Sequence, residues 1–177
     1  MKLRWKFLLN FLILILALLI LVGLQTTFWF QIFGNISAPM LWLNLVVYII
    51  LYQKPAPAIL TIYSMGFILT SFTSMPLKLM WITLLVLFMI IYGLKSRIFW
   101  SGSGYYVIMC GVSAVTYHVA YFLISLALEK TPAGFEVADR LVQIILTPLF
   151  ALPMYRIISI LDILTHDELN DSGGLNL

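Results

Sequence analysis

Residues 7–24 read FLLNFLILILALLILVGL, an 18-residue stretch without a charged side chain. A helix that crosses the hydrocarbon core of a bilayer needs about 20 predominantly apolar residues, with a range of about 17 to 25. The end of the stretch reads VGLQT over residues 22–26 and offers no small-x-small cleavage site, so a removable secretory signal is not indicated. The stretch therefore predicts a membrane helix that the protein retains.

Five further apolar segments follow the first. They cover Pro39–Tyr52, Ala58–Ser74, Leu79–Leu94, Tyr105–Leu128 and, roughly, Val137–Tyr155. These segments lack the polar alternation of membrane barrel strands, and an open sheet leaves its backbone groups unsatisfied in lipid. We therefore predict an all-α membrane protein: a six-helix transmembrane bundle over residues 1–160 and a short polar cytoplasmic tail over residues 161–177. The second segment is short for a span, so a partly inserted or broken helix is the alternative there.

Composition supports the same class of protein. Of the 177 residues, 63% are hydrophobic and only 10% are charged, and the mean hydropathy is +1.06. A soluble domain carries about 25% charged residues, so a soluble globular domain, a disordered segment and a nucleic-acid-binding protein are all excluded. The lipid bilayer is the expected surrounding, and nucleic acid is not an expected partner.

Lysine and arginine are distributed unevenly between the two predicted sides. With a cytoplasmic N-terminus, seven of them fall on inner segments and three on outer ones, and the predicted outer loop over residues 25–38 has none. By the positive-inside rule, this bias predicts a multi-pass protein with both termini in the cytoplasm. The inner residues are Lys2, Arg4, Lys6, Lys54, Lys95, Arg97 and Arg156, and the outer ones are Lys78, Lys130 and Arg140.

Polar side chains are few within the predicted spans. Asn44, His118 and Gln143 are candidate intramembrane polar residues, and the bundle interior is where the three could meet. His118 could serve as a proton relay or a ligand contact. It has no carboxylate neighbour in sequence and no second histidine at helical spacing. A satisfied hydrogen bond between helices is therefore the favoured interpretation for all three.

A second polar group lies at the outer start of the last span. Glu136 and Arg140 are four residues apart and can pair on one helix face, with Asp139 between them. These three residues are candidates for a polar site on the outer face. An interfacial anchor that orients the helix is the favoured alternative.

Catalytic and metal-binding patterns are missing from the sequence. There is no Gly-x-Ser-x-Gly, no His-Glu-x-x-His and no phosphate-binding loop. The single cysteine, Cys110, lies in an apolar run and is predicted to be a small core residue. The five tryptophans fall mostly near predicted interfaces, as in an ordinary aromatic belt. We predict no enzymatic activity, no cofactor and no metal site.

The region from Pro39 to Arg97 resembles the MreD family, the integral membrane component of the bacterial rod-shape system. A Pro ends the outer loop at Pro39, Tyr48 lies near the inner end of the next span, and Lys54-Pro55 forms a basic turn. The following span ends in GFILTSFTSMPL over residues 66–77, from Gly66 to the turn at Pro76. The stretch ILTPLF at 145–150, with Tyr155-Arg156 after it, is similar to the family's last span. The family often has Asp where this chain has Thr70, and its Ser-Gly pair is shifted here to Thr73-Ser74.

The resemblance implies a non-catalytic scaffold in the bacterial inner (cytoplasmic) membrane. Its expected partner is an MreC-type bitopic protein, and through it MreB filaments, RodA and the transpeptidase partner of RodA. Pro39, Tyr48, Gly66 and Pro76 are the candidate packing and partner-contact residues. Gly66 is expected to allow close helix approach, and Pro76 to end the span and shape its turn.

The family's bundle is also similar to the substrate-binding (S) subunit of energy-coupling-factor vitamin transporters, which leaves vitamin capture as an alternative function. Such subunits tend to show an Ala-x-x-x-Ala patch in the first span, where this chain has Ala17 and then Leu21. Glu136, Asp139 and Arg140 could still hold a vitamin at the outer face. An accessory membrane protein that binds no ligand is a third possibility.

Overall fold

The described part of the computed structural model, residues 2–98, 102–129 and 136–166, is helical and contains no strand. The helices are α1 (Lys2–Gly23), α2 (Trp29–Phe33), α3 (Leu41–Tyr52), α4 (Pro55–Thr70), α5 (Leu77–Arg97), α6 (Ser103–Leu128) and α7 (Val137–His166). A π-helical turn, Leu24–Phe28, joins α1 to α2. Residues 167–177 of the predicted tail, and Lys130, lie outside the described residues, while residues 161–166 continue α7.

Four of the helices are long and apolar enough to cross a membrane, which indicates a multi-pass membrane protein. They are Leu8–Phe33, Leu77–Arg97, Ser103–Leu128 and Val137–Leu161, with lengths of 26, 21, 26 and 25 residues. Every predicted apolar segment coincides with a helix, but α3 and α4 are shorter, at 12 and 16 residues. At about 1.5 Å per residue, α3 is about 18 Å long and does not match a hydrocarbon core of about 30 Å.

The first helix is longer than predicted. It was expected to end at Leu24, before an outer loop over residues 25–38, but the helical conformation continues to Phe33. The Thr26 hydroxyl donates to the Val22 carbonyl at 2.8 Å, so this polar residue is accommodated within the helix. The helix ends only at Gly34, whose φ of +60° favours glycine. The connection to α3 is therefore residues 34–40 alone.

The other five helical segments form a ring around α3. The helix α1 contacts α4 and α7, α4 contacts α5, α5 contacts α6, and α6 contacts α7. All five contact α3, and ten of its 12 residues are buried. This enclosure explains how a helix too short to span the bilayer by itself is accommodated, because protein rather than lipid surrounds it.

Contacts between aromatic side chains, together with the bond from Asn44 to Thr147, show the relative directions of α3, α6 and α7. Near its start, α3 places Trp42 against Tyr117 of α6, with ring centroids 5.1 Å apart. Near its end it places Tyr48 against Tyr106 of α6 and Tyr155 of α7, at 6.2 and 6.3 Å. The helices α3 and α7 are therefore parallel, and α6 is antiparallel to both.

The two ends of the bundle carry different residues. We call one the lysine end, where α3, α5 and α7 finish, with Lys54, Lys95, Arg97 and Arg156. The opposite end is the Asp139 end, where α7 begins, with Lys78 and Arg140. This grouping matches the predicted inner and outer residues among those that are described, whereas the orientation itself stays a prediction.

The prolines mark helix starts and also occur within α7. Pro55 is the first residue of α4, and Pro76 immediately precedes α5, as expected for a residue with fixed φ and no N–H. Pro148 and Pro153 both lie inside α7, which is continuous through them. Thr147 immediately precedes Pro148, and its hydroxyl donates to the Gln143 carbonyl at 2.6 Å.

Candidate functional site

A polar cavity of about 300 Å³ lies at the Asp139 end, between the first helix, the 34–40 connection and α7. We call it the Asp139 pocket. A volume of this size is at the lower end of small-molecule sites. Its lining is Gln25, Thr26, Phe30, Asn35, Ser37, Ala38, Asp139 and Gln143.

The π-helical turn supplies one wall of the Asp139 pocket. It positions Gln25 and Thr26 at the cavity. The Gln25 side-chain oxygen Oε1 is buried, and none of the described residues donates a hydrogen bond to it. An isolated π turn is rare and frequently lies at a functional site. No periodic pattern in the sequence marks this turn, so the sequence alone predicts that the helix ends before it.

The 34–40 connection supplies the second wall and is fixed by Trp29. The indole Nε1 of Trp29 donates to the Ile36 carbonyl at 2.9 Å. The same indole packs against Phe33, with ring centroids 4.3 Å apart, and meets the edge of Phe150 in α7 at 5.6 Å. Asn35 and Ser37, which the sequence did not single out, are thereby held at the cavity.

The start of α7 supplies the third wall. The Ser37 side chain is hydrogen-bonded to the Asp139 carboxylate. The Arg140 guanidinium donates to Gln143 Oε1 at 3.3 Å, and the backbone N–H of Arg140 donates to the Glu136 carbonyl. An ion pair between Glu136 and Arg140 does not occur among the described residues. Arg140 bonds to Gln143, which is one turn further along the same helix.

Thr147 of α7 bonds to the side chain of Asn44 and to the backbone of Gln143. The Asn44 side-chain nitrogen Nδ2 donates to the Thr147 carbonyl at 3.1 Å, and Thr147 bonds back to the Gln143 carbonyl. The Tyr106 hydroxyl donates to the Asn44 carbonyl at 2.7 Å. The expectation of helix–helix hydrogen bonding is thus confirmed for Asn44. Thr147 and Tyr106 are partners that the sequence did not indicate.

His118 does not join this network. It is 2% exposed, and neither ring nitrogen has a hydrogen-bond partner among the described residues. The adjacent Tyr117 ring lies edge-on at 5.7 Å. The prediction of a satisfied interhelical hydrogen bond is therefore wrong for His118. Asn44 bonds to Thr147 of α7 and not to His118.

Metal binding has no support in the geometry of the described residues. Within that part of the chain, no three His, Cys, Asp or Glu side chains form a group that could hold a metal ion. Cys110 is fully buried, as predicted for a core residue. The chemistry that the Asp139 pocket offers is hydrogen bonding, from one carboxylate, three amides and two hydroxyls.

No protein-family model, curated protein or solved structure matches this chain.

Three of the four residues proposed for packing and partner contact are buried within the chain. Pro39 lies in the 34–40 connection, Tyr48 lies in a tyrosine cluster at the lysine end, and Gly66 faces α5. Pro76 is exposed, and its carbonyl accepts hydrogen bonds from the first turn of α5. A contact between these four residues and a partner stays a prediction. The three buried residues could affect a partner only by shaping the bundle that it binds.

At Gly66 the helix α4 packs closely against α5. A Cβ atom placed there would lie 2.9 Å from both Trp81 Cδ1 and Leu84 Cδ1. Trp81 also stacks on Tyr63, with centroids 5.1 Å apart, and donates to its carbonyl at 3.2 Å. Thr70, where the MreD family often has Asp, ends α4 and donates to the Phe67 carbonyl at 2.7 Å.

Proposed function

We propose that this chain is a non-catalytic integral membrane scaffold of the bacterial cell-elongation machinery, located in the inner membrane with both termini in the cytoplasm. In this proposal it binds an MreC-type bitopic protein and thereby links MreB filaments to the peptidoglycan synthase RodA and its transpeptidase partner. In this proposal the chain folds as a six-span bundle, in which the short helices α3 and α4 cross the membrane packed against their neighbours.

The observation that carries the proposal is the enclosure of α3. Because five helical segments contact this helix, their outward faces are held in a fixed arrangement around it. Hydrogen bonds at Met40, Asn44 and Tyr106 fasten α3 to α6 and α7. Helix association in a bilayer depends on van der Waals packing between complementary faces. A preformed face therefore suits the capture of another transmembrane helix.

The outward faces are apolar and suited to lipid or to a partner helix. Large side chains point outward along each long helix. Examples are Leu16 of α1, Met89 of α5, Val119 of α6 and Leu149 of α7, which are 51% to 66% exposed. A single-span partner could cover any one of these faces without a change in the core.

Co-purification from native membranes tests the scaffold. The full chain, tagged and extracted in a mild detergent, is expected to retain a single-span coiled-coil protein and peptidoglycan synthases, identified by mass spectrometry. An untagged strain is the control for adventitious recovery. Recovery of an ATPase and a membrane coupling subunit in place of these proteins would contradict the scaffold.

Substrate capture is the second candidate, and the Asp139 pocket favours it. The pocket is at the predicted outer face, and the unpartnered Gln25 Oε1 is an acceptor available to a ligand donor. The first helix does not favour the capture function. The second Ala of the Ala-x-x-x-Ala patch is Leu21 in this chain, and Leu21 is only 8% exposed.

A ligand screen separates the two candidates. The purified full chain is heated with each member of a panel of water-soluble vitamins. The capture function requires that one of them raises the unfolding temperature. That rise must be lost in Asp139→Asn and Gln25→Leu and kept in Lys78→Gln, which lies at the same end outside the pocket lining. A panel without any stabilising vitamin is the result that the scaffold predicts.

A further inference from the structure

A second cavity, of about 390 Å³, lies at the lysine end of the bundle, where α3 meets α4 and α5. We call it the lysine cavity. Lys54 and Lys95 line it, together with Tyr52, Gln53 and Tyr92. Neither the scaffold nor the capture function uses it.

The lysine cavity is electropositive. Two ammonium groups line it and no carboxylate does. The described acidic side chains, Glu129, Glu136 and Asp139, belong to the ends of α6 and α7 at the opposite end of the bundle. An anion in this cavity would therefore meet two positive charges and no like charge from the lining.

Lys95 is fixed in place and still has donors to offer. Its Nζ donates to the Ile50 carbonyl at 3.3 Å, one of the last four carbonyls of α3, which lack helical partners. An ammonium group has three N–H donors, so two remain. Lys54 precedes the first residue of α4 and is exposed. A single phosphate group has enough acceptor oxygens to bond both lysines.

A shallow apolar groove, with a volume of only about 10 Å³, lies further along the same seam between α4 and α5. It is lined by Ile59, Ile62, Tyr63, Leu84, Leu85 and Phe88. Phe88 stacks on Tyr92 of the cavity, with centroids 5.6 Å apart and planes within 8°. Lys95 follows Phe88 by seven residues, which is two turns on the same helix face and about 10.5 Å along the axis.

We propose that the lysine cavity and this groove together bind one anionic glycerophospholipid. Lys54 and Lys95 hold its phosphate, and an acyl chain lies against Ile59 and Phe88. A charged head directly above an apolar groove matches the two parts of such a lipid. Basic pockets between membrane helices are known to bind anionic headgroups. A free phosphate ion would use the cavity but not the groove.

Lipid retention by the full chain tests the site. The protein is exchanged into vesicles of equimolar phosphatidylglycerol and phosphatidylcholine, extracted mildly, and its bound lipids are counted by native mass spectrometry. We expect retained phosphatidylglycerol to exceed phosphatidylcholine, and its retention to fall about fivefold in Lys54→Gln, the effect of one surface lysine on an anionic lipid. Lys54→Gln and Lys95→Gln combined should reduce it further. Lys78→Gln, the matched control at the other end, should leave it unchanged.

Three results would overturn the proposal. The first is equal retention of the two lipids by the native chain. The second is an equal loss of phosphatidylglycerol in Lys54→Gln and Lys78→Gln, since that pattern reflects net charge alone. The third is displacement of the lipid by millimolar inorganic phosphate, which would assign the cavity to a free anion. Lys54→Gln alters an exposed side chain, so its unfolding temperature should match that of the native chain and exclude misfolding.

Discussion

The backbone N–H of Met40 donates to the Thr147 hydroxyl at 3.0 Å, across 107 residues of sequence. Met40 immediately precedes α3, where the first N–H groups of a helix have no partner of their own. Thr147 therefore caps the enclosed helix from the neighbouring α7. This contact and the Asn44 contact to the Thr147 carbonyl fix the register between α3 and α7.

Removal of the Thr147 hydroxyl should destabilise the bundle. Thr147→Val preserves the shape of the side chain but leaves the buried Met40 N–H unbonded, at a cost of about 1–3 kcal/mol in the free energy of unfolding. Tyr106→Phe is the comparison. Tyr106→Phe frees the Asn44 carbonyl, but this carbonyl lies within α3 and still accepts a hydrogen bond from the backbone N–H four residues further along. The loss in the free energy of unfolding should therefore be smaller for Tyr106→Phe. Denaturant unfolding in detergent, followed by circular dichroism, measures both, and a larger loss for Tyr106→Phe would contradict this account of the cap.

Gly66 should tolerate no large side chain. In Gly66→Leu the new Cβ would lie within 3 Å of Trp81 and Leu84, and overpacking of this kind costs about 1–3 kcal/mol or more. Gly93→Leu is the matched control, since Gly93 lies in α5, four residues before its end, with no atom within 4 Å of an added Cβ. The expected result is a lower unfolding temperature for Gly66→Leu alone. Equal unfolding temperatures would show that α4 and α5 do not depend on close approach.

Trp29 should control the 34–40 connection and hence the Asp139 pocket. Trp29→Phe removes the bond to the Ile36 carbonyl, worth about 0.5–1.5 kcal/mol, so amide exchange at residues 34–38 should accelerate by up to about tenfold. Trp81→Phe removes an indole hydrogen bond at a different seam and should leave that exchange unchanged. Unchanged exchange in Trp29→Phe, measured by mass spectrometry, would mean that the connection is held by other contacts.

The orientation of the bundle can be measured at its two ends. In a Cys110→Ala background, Lys78→Cys should react in intact cells with a maleimide that cannot cross the membrane. Lys54→Cys should react only after the cells are opened. The positive-inside bias predicts this pattern, and both lysines are exposed in the structure. Labelling of Lys54→Cys in intact cells would reverse the predicted orientation.

The positions of the helices follow from the sequence because most apolar runs end at a recognisable break. Pro55, Pro76 and Gly34 begin or end helices as their backbone preferences require. The end of the first helix was not predictable in the same way. Gln25 and Thr26 resemble a loop in composition, but the Thr26 hydroxyl bonds to the Val22 carbonyl one turn back and so fits within a helix.

The polar contacts were predictable in kind but not in pairing. Asn44 was expected to bond another helix, and it does so through Thr147. His118 carried the same expectation and has no partner among the described residues. One difference is that Asn44 lies level with Thr147 of the neighbouring helix α7. Which residues lie level with one another depends on the register between the helices. Apolar sequences do not encode register in any periodic pattern that can be read by eye.

The lysine cavity shows the same limit. Lys54 and Lys95 are 41 residues apart in the sequence, and each by itself indicates only a cytoplasmic flank. The antiparallel packing of α4 and α5 brings the two into one cavity. The sequence alone therefore does not predict that the two lysines share a site, although it does predict that they lie on the same side of the membrane.

Site-specific photocrosslinking in living cells tests the scaffold most directly. A photoreactive amino acid is placed singly at outward positions on the ring, Leu16, Phe67, Met89, Val119 and Leu149, which are all exposed. The scaffold predicts a covalent adduct with one single-span MreC-type protein, confined to positions on one helix or on two adjacent helices. Adducts with an ATPase-coupled transporter subunit, or the absence of a protein adduct from all five positions, would contradict it.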